Sequence, residues 1–254
     1  MTNAAPPLVS VIVPVVNEER LLPEAIACVR RQRDANVEIV AVHGRSTDGT
    51  PEVLERLRRE PGAPLFVVHE EDSAGPGAAR NVGVRAARGD ILTFLDADDL
   101  WSADWLRTVR TRLEEEPDAL LLGHTSVVRS VDPKRTDSGW SPPEPPGLTF
   151  VFGAMALART TWRAIGGVDG SLRSGEDLAF SMVARERGIR VIVVPETTLF
   201  YRLHGRNSVT GLGLKELNVM RVLHESLRRR ASRDGGATAA LPALRRPGDS
   251  GSAQ

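Results

Sequence analysis

The chain has 254 residues, 41% hydrophobic and 26% charged, with 33 basic and 33 acidic side chains that cancel. That length accommodates one large α/β domain or two small ones, and the charge balance excludes a global positive field that would draw the chain to nucleic acid or anionic lipid. The one cysteine, Cys28, excludes an intrachain disulfide framework, and no leader-like N-terminus or apolar run of membrane-spanning length is evident, so a soluble, cytoplasmic protein is expected.

Short β-branched runs alternate with amphipathic helices along the first hundred residues. A strand is predicted over Val9–Val15, then a helix over 18–32 with Asn17 as its cap. A second strand over 37–42 runs into the turn Gly44-Arg45-Ser46-Thr47-Asp48-Gly49. Thr50 is the expected cap of the next helix, with Pro51 at its first position. A third strand covers Leu65–His69. Gly75-Pro76-Gly77 opens a helix through residue 87, which Gly89 ends, and a fourth strand covers 91–95. After a helix over 103–115 the pattern changes. Strands are predicted over 119–122 and 126–131, then a Pro-, Gly- and Ser-rich loop over 132–147, a strand over 153–158 and a short helix over 160–165 ended by Gly166-Gly167. A helix over 177–187, strands over 191–194 and 198–203 and an amphipathic helix over 212–230 follow. Residues 232–254 are expected to be disordered. The βα repetition implies an α/β fold with a mostly parallel central sheet and helices on both faces.

The fourth strand, Ile91-Leu92-Thr93-Phe94-Leu95, runs straight into Asp96-Ala97-Asp98-Asp99. Open α/β sheets bind ligands beyond the carboxyl ends of their strands. Carboxylates this close repel one another unless a cation or hydrogen-bond donors offset them. Their oxygens suit Mg²⁺ or Mn²⁺, whose remaining ligands are commonly phosphates. The same acids also fit an N-cap ahead of a helix near Ser102, and this segment alone does not separate the two readings. Gly75-Pro76-Gly77-Ala78-Ala79-Arg80 lacks the third glycine of a dinucleotide fingerprint and does not follow the first strand, which excludes a nicotinamide cofactor. Gly77 there marks either close backbone approach to a nucleotide at a helix N-terminus or a plain tight turn. Cys28 and Trp101 are assigned to packing rather than chemistry.

Taken together in order, these segments resemble the family 2 glycosyltransferases of the GT-A fold. Val9-Ser10-Val11-Ile12-Val13-Pro14 followed by Asn17-Glu18 resembles the family's opening strand, and Ser46-Thr47-Asp48-Gly49-Thr50 the end of its second motif. Ala79-Arg80-Asn81-Val82-Gly83 is similar to the helix before the family's metal strand, and Asp96-Ala97-Asp98 to its DxD element. Ser174-Gly175-Glu176-Asp177 resembles the base element, and Tyr201-Arg202-Leu203-His204 the late Y-R-x-H element. The resemblance implies a single Rossmann-like domain over 1–231. Within it, 1–100 would bind nucleotide, 101–211 would bind acceptor, and 212–231 would form a C-terminal helical extension. It also implies inverting transfer of a sugar from a nucleotide diphosphate sugar, by default a UDP-sugar, to a small-molecule, peptide or glycan acceptor.

The roles that the resemblance implies are as follows. Asp98 and His204 hold Mn²⁺ or Mg²⁺, and Asp96 lies near the ribose. Asp177 is the general base, with Glu176 as its runner-up. Pro14, Val16, Glu18, His43, Arg45, Gly77, Arg80 and Ala97 join Asp96 and Asp98 around the nucleotide sugar, while Trp140, Gly153 and Glu176 face the acceptor. Simpler roles stand beside these: Glu176 and Asp177 as first-turn acids complementing a helix dipole, His204 as a structural histidine, and Trp140 as a packing anchor. The chain departs from the family where the second strand usually ends in an acidic pair whose later member reads the nucleobase. His43 and Gly44 stand there, followed by Arg45, and Val16 replaces an aromatic, so the nucleobase is undecided. A sugar-phosphate nucleotidyltransferase is a rival reading, although no Gly-rich cationic loop follows the first strand. A non-catalytic nucleotide-sugar-binding relative is another, motivated by His43-Gly44. The last helix aligns Leu214, Leu217, Met220, Leu223 and Leu227 ahead of Arg228-Arg229-Arg230. Packing against its own domain is preferred for that stripe over a peripheral membrane contact.

Overall fold

A computed structural model describes residues 6–33, 36–69, 75–132, 139–207, 218–233 and 240–246. The runs of Val and Ile in the first half are buried on both faces, as parallel strands covered by helices must be. β1 (Val9–Val15) lies between β2 (Val37–His43) and β4 (Ile91–Phe94), and with β3 (Leu65–His69) these strands run parallel in the order β3-β2-β1-β4. Helices α1 (Leu22–Arg30), α2 (Thr50–Arg59) and α3 (Pro76–Ala86) connect them.

The second half extends the same sheet with mixed polarity. After β5 (Leu100–Trp101) and α4 (Trp105–Glu115) come β6 (Leu120–Arg129), β7 (Gly147–Leu148) and β8 (Met155–Ala158), with a 3-10 turn at Phe152–Ala154 leading into β8. Then follow α5 (Arg159–Ile165), α6 (Glu176–Glu186), β9 (Val191–Leu203) and α7 (Val219–Arg233). The sheet continues β4-β8-β6-β9-β5. β8 is antiparallel to both β4 and β6, β6 is parallel to β9, and β7 pairs with β6. The four longest ladders are parallel, as the βα pattern predicts.

Several local expectations are corrected. Asn17 does not cap α1, which starts at Leu22; it sits in the left-handed region at φ 57°, which asparagine tolerates, and its Oδ1 accepts the Thr47 amide at 2.7 Å. Thr50 is the first helical residue of α2 rather than its cap. Asp48 serves that helix end, accepting the Thr50 amide at 3.1 Å and its hydroxyl at 2.6 Å. Gly89 is required by close approach and not by a left-handed cap: a Cβ there would meet the Leu8 carbonyl at 2.5 Å, and its amide donates to Ser10 Oγ at 2.8 Å.

The two predicted strand pairs in the second half are single strands. Pro195 and Glu196 interrupt the alternation in β9, and the ladder skips them: Gly123 pairs with Val194 and His124 with Thr197, a bulge that keeps both strands continuous. Gly123 admits this because any Cβ would lie 2.0 Å from Thr198 Oγ1. The predicted strand over 153–158 begins only at Met155. Of the predicted loop over 132–147, residues 133–138 lie outside the described residues.

The tail is also corrected in part. Arg245 bridges Ile192, its carbonyl accepting the Val193 amide at 2.7 Å and its amide reaching the Val191 carbonyl at 3.0 Å. β5 pairs only with Leu199 and Phe200 on that side of β9, so Arg245 pairs with part of the edge left open beside Val191–Val193. In α7 it is Val222 and Ser226 that face inward, Val222 meeting Leu172 and Met182. Met220, Leu223 and Leu227 stay exposed, so the predicted stripe is not the packed face; Leu214 and Leu217 lie outside the described residues. No helix among the described residues is long and apolar enough to cross a membrane.

Candidate active site

The loops at the carboxyl ends of β1 and β2 are tied together through side chains of the Ser46-Thr47-Asp48-Gly49-Thr50 segment. The amides of Asn17, Glu18 and Glu19 donate to Ser46 Oγ, Thr50 Oγ1 and Asp48 Oδ2 at 3.0, 2.9 and 3.2 Å, and Glu19 Oε2 accepts the Gly49 amide at 2.8 Å. This segment is therefore a scaffold for the first loop. It holds Glu18 at the rim of a cleft of about 510 Å³ that spans the top of the sheet. Burial, reinforced by the charge of Asp98, pushes Glu18 up to about 8.

Asp96, Asp98 and Asp99 separate by environment. Asp99 is 1% exposed; its Oδ1 accepts the Arg202 amide at 2.8 Å, and among the described residues its Oδ2 has no donor. Burial, with Asp98 and Asp96 close by, holds it well above the usual carboxylate range. It stabilises the turn and does not cap α4, since β5 intervenes. Asp98 lines the cleft. Its Oδ2 accepts from His204 Nε2 at 3.3 Å and Asn207 Nδ2 at 3.2 Å, and its carbonyl accepts from the buried Arg202 guanidinium. Arg202 also pairs with Glu24 and lies 5.4 Å from the Trp140 ring centre.

The His204 tautomer follows from its partners. Nδ1 accepts the Arg206 amide at 3.2 Å, so in the neutral ring Nε2 carries the proton and donates it to Asp98. In this arrangement His204 donates to Asp98 through Nε2 and accepts through Nδ1, so neither ring nitrogen presents an open lone pair to a metal. Among the described residues the donors to Asp98 go to its Oδ2, and Asp96 and Glu18 line the same cleft. Hard carboxylate oxygens fit Mn²⁺ or Mg²⁺, which commonly takes one or two protein carboxylates and completes its shell with water and phosphate. Among the described residues no three His, Cys, Asp or Glu converge on one point that could hold a metal ion.

Arg80, on α3, joins this cluster to the start of α6. Its two terminal nitrogens donate to Asp96 Oδ1 at 2.6 Å and to Glu176 Oε1 at 2.8 Å, and its guanidinium lies 4.5 Å above the Phe152 ring. Gly77 allows α3 to start this close to Glu176, since a Cβ would meet Val168 at 2.9 Å and Glu176 Cγ at 3.4 Å. Asp177 follows at the helix N-terminus, its Oδ1 accepting the Leu178 amide at 2.8 Å. Burial first, then the neighbouring Glu176, pushes Asp177 up to about 7.

Of the residues singled out from sequence, Pro14, Val16, Glu18, Arg80, Asp96, Asp98, Glu176 and Asp177 line one cleft. Others do not. His43 turns from it to Ser46 Oγ at 3.1 Å and His69 Nδ1 at 3.4 Å, and Arg45 is exposed beside it. Ala97 is buried behind the acids, and Gly153 is a packing glycine whose carbonyl accepts Trp101 Nε1 at 2.7 Å. Trp140 stands 6.4 Å from the His204 ring and is not among the residues lining the cleft. Sequence reasoning missed Tyr201, Arg206 and Asn207 as site residues, all three of which line the cleft. The signal for Asn207 was available: a buried carboxylate needs donors, and an amide three residues after His204 supplies one.

The family model described as glycosyl transferase family 2 matches residues 10–165. The chain is 28% identical over 230 residues to the uncharacterized glycosyltransferase EpsJ of Bacillus subtilis, covering 82% of this chain and 64% of EpsJ. It spans 38%, 34% and 44% of the length of three further glycosyltransferase relatives, so those are longer proteins matched in part. Among solved structures, Staphylococcus aureus TarS 1–349 in complex with UDP-GlcNAc superposes with a TM-score of 0.71 at 22% identity, covering 89% of this chain and 67% of that one. The mannosyltransferase PcManGT from Pyrobaculum calidifontis, in complex with GDP-Man and Mn²⁺, superposes with a TM-score of 0.63 at 25% identity, covering 94% and 67%. The architecture is thus the α/β GT-A fold.

Proposed function

The chain belongs to glycosyl transferase family 2, and from that premise we propose that it moves a sugar from a nucleotide diphosphate sugar to an acceptor hydroxyl with inversion at the anomeric carbon. The observation that carries this reading is the meeting of Asp98 and Asp177 in one cleft, the first beside Asp96 and Glu18, the second across Arg80. A carboxyl near 7 is matched to taking a proton from a hydroxyl at neutral pH. As the acceptor oxygen bonds to the anomeric carbon, the bond to the diphosphate breaks and the hydroxyl proton passes to Asp177.

Asp98 is the residue that would hold a Mn²⁺ or Mg²⁺, and such an ion supplies charge neutralisation to the departing diphosphate. His204 and Asn207 keep the Asp98 carboxylate oriented for that task. The nucleotide lies against the first half of the chain, over Pro14, Val16 and Glu18, and the acceptor enters from the second half, beside Glu176 and Tyr201. A UDP-sugar is the default donor, supported by the fold shared with the UDP-GlcNAc complex of TarS. PcManGT, bound to GDP-Man, makes a guanine donor the next to test. His43 pairs with His69 and Ser46 and is not among the residues lining the cleft, which favours a different group as reader of the base.

Asp98→Ala and Asp177→Ala test the assignment. Each is expected to slow sugar transfer or donor hydrolysis by roughly 10²-fold or more, while only Asp98→Ala weakens Mn²⁺-dependent nucleotide binding. Full rates in both variants sink it.

A further inference from the structure

Arg80 is 3% exposed and lies between two carboxylates that belong to different parts of the site: Asp96 at the end of β4 and Glu176 at the start of α6. A guanidinium presents its donors in a rigid planar fork, so one side chain holds both acids at a fixed separation, which a lysine ammonium does not reproduce. Phe152 supports the plane from below at 4.5 Å. A buried cation with two ionic partners leaves strongly repelling acids if it is removed. Among the described residues, those that weigh most on Asp177 are Glu176 beside it, Arg80 from α3 and Asp96 from the end of β4, with Tyr201 from β9 and the exposed Arg173 and Arg206 lining the same cleft. Arg80 is the buried cation among them.

We infer that Arg80 is a positioning residue: it sets the spacing between donor-side Asp96 and acceptor-side Glu176 and balances the charge around Asp177, without itself exchanging a proton or contacting the reacting atoms. The inference deepens the glycosyltransferase reading and rests on it for the names donor side and acceptor side. It separates two properties of one residue. Charge tunes Asp177, since Arg80 opposes the upward shift that burial and Glu176 impose. Fork geometry places the two acids.

The test uses the full chain, with the side-chain carboxyl carbons of aspartate labelled with ¹³C. The Asp177 titration midpoint is followed by NMR without nucleotide or metal, and folding is monitored by Tm. In Arg80→Gln the midpoint is expected to rise. In Arg80→Lys, which keeps the charge, it is expected to stay at the wild-type value, while release of sugar from UDP- or GDP-sugars falls at least tenfold at every pH. Glu176→Gln is expected to lower the midpoint, a control of opposite sign. An unmoved midpoint in folded Arg80→Gln, or wild-type turnover in Arg80→Lys, overturns the inference. If the wild-type chain turns over no nucleotide sugar, the transfer reading fails, and the titration still decides whether Arg80 governs Asp177.

Discussion

Asp177 is a carboxyl held where ionisation is disfavoured, and that has a consequence for stability as well as for chemistry. Its midpoint stands at about 7 against 3.8 for an ordinary aspartate, because burial and Glu176 both oppose the charge. The folded state therefore binds this proton more tightly than the unfolded chain. As pH rises from about 4 to about 7 the unfolded chain ionises first, so the contribution of this group falls with rising pH and its penalty is complete above 7. Asp177→Asn removes that penalty. The variant is expected to have a higher Tm than wild type at pH 8 and a similar one at pH 4, in metal-free, nucleotide-free buffer, while losing turnover. Wild-type turnover is expected to rise with pH through about 7 as the base ionises. An Asp177→Asn Tm below wild type at pH 8 contradicts the assigned burial. At this scale Asp96, Asp98, Glu176 and Asp177 were legible because each follows directly on an apolar run or a glycine turn. The engagement of Arg80 with Glu176, 96 positions away, was not, since no local pattern encodes it.

Among the elements, α3 shows how closely the site depends on packing. Gly83 faces the sheet, and a Cβ there would come within 2.5 Å of Ile12 Cγ2 and 3.0 Å of Val42 Cγ2. Close approach at Gly83 brings α3, and Arg80 one turn earlier, down onto β1 and β2. Gly83→Ala is expected to destabilise the fold by about 1–3 kcal/mol, the usual cost of overpacking a filled core. Gly147→Ala has nothing within 4 Å of the new Cβ and is expected to change stability by less than about 0.5 kcal/mol. Urea midpoints of the two variants check both values, and equal midpoints would refute the close approach. The strand positions of the first half were legible because their apolar runs are continuous and bounded by turns. The caps were not: Asn17 and Thr50 carry the right side chains for capping, and tertiary partners claim them instead. β9 reads as two strands in the sequence because Pro195 breaks the alternation, while the ladder absorbs it as a bulge.

For the molecule as a whole, the cleft draws Glu18 from the loop after β1, Asp96 and Asp98 from the loop after β4, and Asp177 from α6. A ligand that engages all three ties the two halves of the chain together and stabilises only the folded state. A nucleoside diphosphate at a hundred times its Kd is expected to add about 2.7 kcal/mol, seen as a rise in Tm that requires Mn²⁺ or Mg²⁺ and disappears in Asp98→Ala. Comparing UDP, GDP and dTDP identifies the base. No shift with any of the three, with or without metal, would refute a nucleotide site here. Sequence by itself determined the βα order, the parallel core and the acids at strand and helix ends, because hydrophobic period and abrupt polarity changes are local. Only the tertiary structure decided which of those acids share a cleft and which cation stands between them. It also turned His43 toward His69 and away from the cleft, because burial and pairing depend on neighbours that are distant in the chain.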